Sequence, residues 1–503
     1  MWRSELDDAR ESILTRGRDM GTRPSIGGIA LIIAASIVLP VALWKLSDDD
    51  VNPTILIAAL GLYSIIILSV IIMLSRKNVS LLNPFLYETL IYFIPASIGA
   101  VNLGFTAAMP SYERLLPEYE HFIIIALLYL GLSYVSLWIG FRWCNATSAR
   151  GIAHLLPHWN WTPESVILPA LIVLVVGDLC LYAAFRLGAV GFVSTVSEYG
   201  EILVVLSLLG TIGTFYLCWS FFRVRRKTVI HYILALIILT HAVYVVVTGG
   251  GKGTPIALVL LIMMAYYASG RHLSRRGAIA VAVIASLSII GGVAYGTGFR
   301  LLMGSERQAT LTEYIETAQL AMTQIGSQDV QDTLPTTLRL FLMRCDRTST
   351  LAVVIARHDE LKNSEEEWGL SNNIIKDTLT SVIPRFLWNN KPMVADARSL
   401  SLLYFNVPDT SFTFGLTGDL FRNAGIFGIV VGMAFLGAAL KYGYSTMVTN
   451  SESIWARCTY CVILTSINFE GFYSGILPVL FRVALICLLA GVFMQFVIRM
   501  EKT

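Results

Sequence analysis

Residues 54–75 read TILIAALGLYSIIILSVIIMLS, an apolar run without a charged side chain. As a helix rising about 1.5 Å per residue, such a run crosses a hydrocarbon core of roughly 30 Å. Only a helix satisfies the run's backbone hydrogen bonds there, and that decides the fold class. Similar runs recur outward from it, giving expected spans near 26–46, 54–75, 85–107, 121–141, 165–185, 202–222, 229–248, 254–270, 277–296, 424–441, 454–470 and 476–498. With 55% hydrophobic and 14% charged residues, the chain reads as an all-α polytopic integral membrane protein of about twelve transmembrane helices.

Lys and Arg set the expected orientation. They collect at Arg3 to Arg23, at Arg76 and Lys77, at Arg223 to Lys227, at Arg271 to Arg276 and at Arg499 and Lys502. The alternate loops are poor in them. Both termini are therefore expected in the cytoplasm, with a cytoplasmic segment 1–25, a bundle of about nine spans over 26–296, a large outer loop over 297–411, about three spans over 412–498 and a tail over 499–503. The first 25 residues lack a small-residue cleavage pattern and do not read as a signal peptide.

Several local patterns carry little chemistry. Cys458 and Cys461 form a C-x-x-C with no second ligand pair, so neither a metal nor a cofactor is expected. Asn145-Ala-Thr147 matches a glycosylation acceptor on the expected cytoplasmic side and is discounted. The chain does not divide into two similar halves, which argues against many secondary transporters. Charged groups within spans are costly and often functional. Here they are Glu88, Asp178, Glu470 and Arg482, with Glu470 and Arg482 placed to pair and Asp178 to partner a Tyr or Ser. His241 reads as a hydrogen-bonded packing residue and not as a ligand.

The large loop is too long for a simple connection. Thr310 to Glu313 reads as a capping box opening a helix, and a second helix after Pro335 carries Arg344 and Arg347 at i and i+3. Glu365, Glu366 and Glu367 read as solvated surface. The loop holds 11 Lys and Arg against 14 Asp and Glu, so an anion site must come from placement. Arg385, Lys391 and Arg398 are interleaved with Pro384, Trp388 and Pro392, and Arg422 follows. Such a run suits an anionic headgroup carrying a sugar, with Trp388 or Tyr404 offering a flat face to a pyranose; the same cations would also snorkel to lipid headgroups.

The pattern I-P-R-x-L-W-x-x-K-P from Ile383 to Pro392, followed by T-x-G-x-x-G-D-x-x-x-N-x-G from Thr413 to Gly425, resembles the Wzy-type oligosaccharide repeat-unit polymerases, the O-antigen polymerase family of bacterial inner membranes. The turn Gly249 to Gly253 is similar to a glycine-rich turn of that family. The chain departs from the family at Asn389-Asn390, where Pro-Asp is common, at Asp419, where Glu is common, and at Lys252, where Arg is common. The resemblance implies a GT-C-like membrane fold with a partly helical periplasmic loop, and glycosyl transfer between undecaprenyl-diphosphate-linked oligosaccharides, donor and acceptor alike. It needs cations for the departing diphosphate, a base for the acceptor hydroxyl and a groove open to lipid.

On that resemblance Arg385, Lys391, Arg398 and Arg422, joined by Arg300, Arg344, Arg347 and Lys252, are the expected diphosphate ligands. Asp419 and then His358 are the expected bases, and Trp388, Tyr404 and Asn423 the sugar contacts. His358 reads alternatively as a cap at a helix C-terminus, and Asp419 with Arg422 as an ion pair at a helix start. A chain-length regulator and a flippase are the implied partners; nucleic acid is not. An O-antigen ligase, another lipid-linked-sugar glycosyltransferase of the GT-C type and a transporter or flippase are the alternatives. The Asp48-Asp49-Asp50 run reads as an outside topological marker.

Overall fold

The computed structural model describes residues 51–75, 82–105, 114–190, 199–224, 226–249, 254–271, 341–380, 396–407 and 412–501, with isolated positions between 312 and 320 and at Ile383, Trp388 and Lys391. Among them there are helices and turns and no strands. In chain order the helices are α1 (Pro53–Ser75), α2 (Pro84–Phe105), α3 (Tyr119–Trp143), α4 (Thr147–Leu155), α5 (Ile167–Arg186), α6 (Gly200–Arg223), α7 (Val229–Gly249) and α8 (Thr254–Ala268). Then come α9 (Thr348–Glu367), α10 (Asn373–Thr380), α11 (Ala397–Phe405), α12 (Gly415–Tyr444), α13 (Ile454–Ser466) and α14 (Ile476–Met500).

Among the described residues, eight helices are long and apolar enough to cross a membrane: α1, α2, α3, α5, α6, α7, α12 with the π turn that extends it, and α14 with the turn before it. The chain is a multi-pass membrane protein. Two expected spans are shorter than a crossing requires. α8 has 15 residues, and α13 has 13 because the helix stops at Ser466 and the chain turns through Ile467 to Gly475. The expected spans 26–46 and 277–296 lie outside the described residues, as do Asp48 to Asp50, Lys252, Arg300, Arg385, Asn389 and Asn390. The described positions between 312 and 320, within the expected capping-box helix, are helical.

Helix starts follow local chemistry. Asn52 accepts from the backbone N–H groups of Thr54 and Ile55, both at 3.1 Å, with Pro53 at the first helical position. Asn83 does the same for Phe85 at 3.0 Å ahead of Pro84. α2 contains a π turn, Thr89–Phe93, directly after Glu88. The expected helix after Pro335 does not carry Arg347 on the same run as Arg344. It breaks at Asp346, whose side chain accepts from the Ser349 N–H at 2.9 Å and starts α9 instead. His358 accordingly sits in the middle of α9, not at a C-terminal cap.

Lipid supplies no hydrophobic drive between spans, so close backbone approach does the work. A Cβ on Gly140 of α3 would come within 1.8 Å of the Ala434 carbonyl oxygen of α12, and one on Gly437 within 2.1 Å of the Leu137 oxygen. A Cβ on Gly177 of α5 would meet the Gly210 nitrogen of α6 at 2.0 Å. Gly140→Leu is therefore expected to lose the monodisperse folded protein in detergent. Gly151→Leu, at a position with no atom within 4 Å, is expected to melt like the parent. Thermal melting followed by size exclusion checks this, and equal behaviour of the two variants would count against the packing.

Candidate functional site

The second quoted motif forms the start of α12, and each of its fixed positions from Gly415 onward has a physical task. Gly415 has φ +69°, and a Cβ there would lie 2.8 Å from the Tyr92 hydroxyl of α2. A Cβ on Gly418 would lie 2.9 Å from that of Phe414. Gly425 takes φ 58°, ψ −148°, a region open in practice to glycine alone, and kinks α12 together with Ala424. Between these glycines stand Asp419, Arg422 and Asn423.

Those three enter one buried polar network. Asp419 is 0% exposed, and its Oδ1 accepts from Arg422 Nη2 at 3.0 Å and from Asn373 Nδ2 at 3.1 Å. Its Oδ2 accepts from the Ser474 backbone N–H at 3.0 Å. Arg422 Nη1 donates to Glu365 Oε2 and to the Leu370 carbonyl, both at 2.9 Å. Tyr404 donates to Glu365 Oε1 at 2.6 Å. Burial beside the Glu365 carboxylate pushes the Tyr404 phenol well above its ordinary range, so it stays a donor. Asn373 also donates to Ser474 Oγ at 3.0 Å, and Asn423 donates to Asn373 Oδ1 at 2.7 Å and to the Asp419 carbonyl at 2.8 Å. α9, α10, α11, α12 and the turn before α14 thus meet at one cluster, and Arg422 Nε alone of that guanidinium has no partner.

This geometry changes several sequence expectations. Glu365 is not solvated surface: it is 3% exposed and paired with Arg422, while Glu366 and Glu367 are exposed. The signal was present in helical phase, since Glu365 follows the buried Leu361 by four positions and Val354 by eleven. Tyr404 is 0% exposed and packs on Phe414 at 4.9 Å between centroids, so its ring presents no open face to a sugar. Asp419 has both oxygens occupied and no exposure, which makes it a latch between elements. Arg422 is spent on two carboxylates. Glu470 pairs with Arg347, not with Arg482. The Asp178 side chain pairs with His241, Oδ1 to Nδ1 at 2.8 Å, while the Tyr244 hydroxyl donates to the Asp178 backbone carbonyl at 3.3 Å. Glu88 is wholly buried, and neither of its oxygens has a hydrogen-bond partner.

The remaining candidates are spread over the elements this cluster holds. Lys391 is 3% exposed with its Nζ 3.9 Å from Glu201 Oε2. Arg398 is exposed on α11, Arg344 is exposed ahead of α9, and Trp388 is 38% exposed. His358 of α9 packs edge to face on Phe421 at 5.5 Å, and its Nδ1 is buried without a partner. Arg357, one residue earlier, was missed by the sequence reading; it donates to the Tyr404 carbonyl oxygen. Among the described residues no three His, Cys, Asp or Glu side chains gather as a metal would require. No protein-family model, no curated protein and no solved structure matches the chain.

Replacing Arg422 would strand two buried carboxylates, a loss of about 3–5 kcal/mol for a broken buried pair. Arg422→Met is expected to lower the melting temperature sharply, and Glu365→Gln on top of it to recover part of the loss. A double-mutant cycle of melts in detergent measures this; additive effects would show that the two side chains do not depend on each other.

Proposed function

We propose that the chain polymerises undecaprenyl-diphosphate-linked oligosaccharide repeat units on the extracytoplasmic face of a bacterial inner membrane, releasing undecaprenyl diphosphate. The supporting observation is that the motif resembling the polymerase family is also the dock where the large loop joins the bundle: Asp419, Arg422 and Asn423 bind α9, α10 and, through Glu365, α11. A loop fixed at the end of a span is where a lipid-borne diphosphate with a water-soluble glycan would be handled.

In this reading the roles divide. Asp419, Arg422 and Glu365 hold the loop in register and do not touch substrate. His358, half-buried on α9, takes the acceptor hydroxyl proton through the part of its ring that stays accessible. Exposed cations ahead of α9 and on α11, Arg344 and Arg398, together with Arg385, answer the charge that develops on the diphosphate. Trp388 offers a sugar its exposed ring.

The test is purified protein in liposomes with synthetic undecaprenyl-diphosphate-linked repeat units and no nucleotide sugar. A ladder of products is expected, reduced roughly 10²–10⁴-fold in His358→Ala if that residue is the general base, and unchanged in Glu366→Gln. A single transfer to lipid A core without a ladder would make the chain a ligase. No transfer, with movement of lipid-linked units across the bilayer, would make it a flippase.

A further inference from the structure

α10 is built inside out. Its polar Asn373 and Asp377 are 7% and 2% exposed, whereas its apolar Ile375 and Leu379 are 67% and 69% exposed. The two pairs recur at i and i+4, so the helix turns one polar stripe to the protein and one apolar stripe away from it. A helix lying in water carries the opposite pattern. Polar inside and apolar outside is the pattern of a helix whose outer neighbour is hydrocarbon.

The position of α10 agrees. Asn423 ties it to α12 four residues before Phe427, at the kink formed by Ala424 and Gly425. There α12 exposes Ile426 at 47% and Phe427 at 73%, the start of its own lipid-facing surface. α10 also packs on Tyr473–Gly475, where the apolar span of α14 begins, and the Tyr473 hydroxyl reaches inward to the Gly432 carbonyl at 2.9 Å. On the water side α9 ends in the exposed Glu366 and Glu367, followed by Trp368 at 48% exposure. Acidic end, tryptophan and apolar stripe then follow the order of a membrane interface. An eight-residue helix is only about 12 Å long, short for a protein interface, which needs roughly 1,000 Å².

We infer that α10 lies in the bilayer leaflet at the loop end of the bundle, with Ile375 and Leu379 in the acyl region, Asn373 in the Asp419 cluster and Asp377 buried on the same face. The inference stands on burial and packing and does not depend on the glycosyl-transfer reading. It makes the large loop a partly membrane-embedded element, and lipid the seal over one side of the network.

Site-directed spin labelling tests it in proteoliposomes, with label on Leu379→Cys, Ile375→Cys, Phe427→Cys and Glu367→Cys, and the labelled parent as background for its 7 cysteines. Power saturation is read with oxygen and with a water-soluble nickel chelate. Labels at 379 and 375 are expected to favour oxygen as the label at 427 does, and the label at 367 to favour the chelate. Chelate access at 379 and 375 equal to that at 367 would overturn the inference. So would a disulfide-linked dimer through Leu379→Cys, which would assign the stripe to a second copy of the chain.

Discussion

One guanidinium, shared between two buried carboxylates, ties α9 to the start of α12. Arg422 bridges Asp419 of its own helix and Glu365 of α9, with 4% of the arginine exposed. Burying three charges costs several kcal/mol for each ion, and attraction repays that only when the remaining donors and acceptors are filled. All but the Arg422 Nε–H are filled here, by Asn373, Tyr404, the Leu370 carbonyl and the Ser474 N–H. Every one comes from a different part of the fold, so the cluster forms only when α9, α10, α11, α12 and the turn before α14 are together. The network is weak as a source of net stability and strong as a specifier of position.

The membrane class and most span positions were legible because length and apolarity alone determine them. The start of α12 was not. The apolar run suggests 424, where α12 kinks at Ala424 and Gly425, but helix already begins at Gly415; residues 415–423 mix Gly, Thr, Asp, Arg and Asn with Leu416, Leu420 and Phe421 and read as loop. They remain helical because the network supplies partners that sequence cannot display. α13 errs in the other direction: the expected span runs to 470, and the helix ends at Ser466. Apolarity measures what lipid tolerates, and says less about where a backbone stops.

Site residues were legible by type and not by partner. The motif drew attention to Asp419, Arg422 and Asn423, and the structure gathers all three. Their chemistry reads differently once Glu365 joins them, because an arginine already serving two carboxylates has little charge left to offer a phosphate. Three consecutive glutamates look alike as text. On a helix they point about 100° apart, and only the one in phase with Leu361 meets the guanidinium.

α10 shows why facing is harder to read than periodicity. A repeat of apolar side chains at i and i+4 defines a stripe, and the same stripe serves a helix on a soluble core or one against lipid. What distinguishes the two is where polar partners wait. Asn373 has three at hand, in Asp419, Ser474 and Asn423, and turning its side chain away would leave that buried cluster with unfilled bonds. The polar stripe is therefore pulled inward by groups distant in sequence, and Ile375 and Leu379 are left pointing out. In water that exposure would oppose docking; in a bilayer it favours it. The buried ion cluster and the lipid surface thus favour the same rotation of α10, each from its own side.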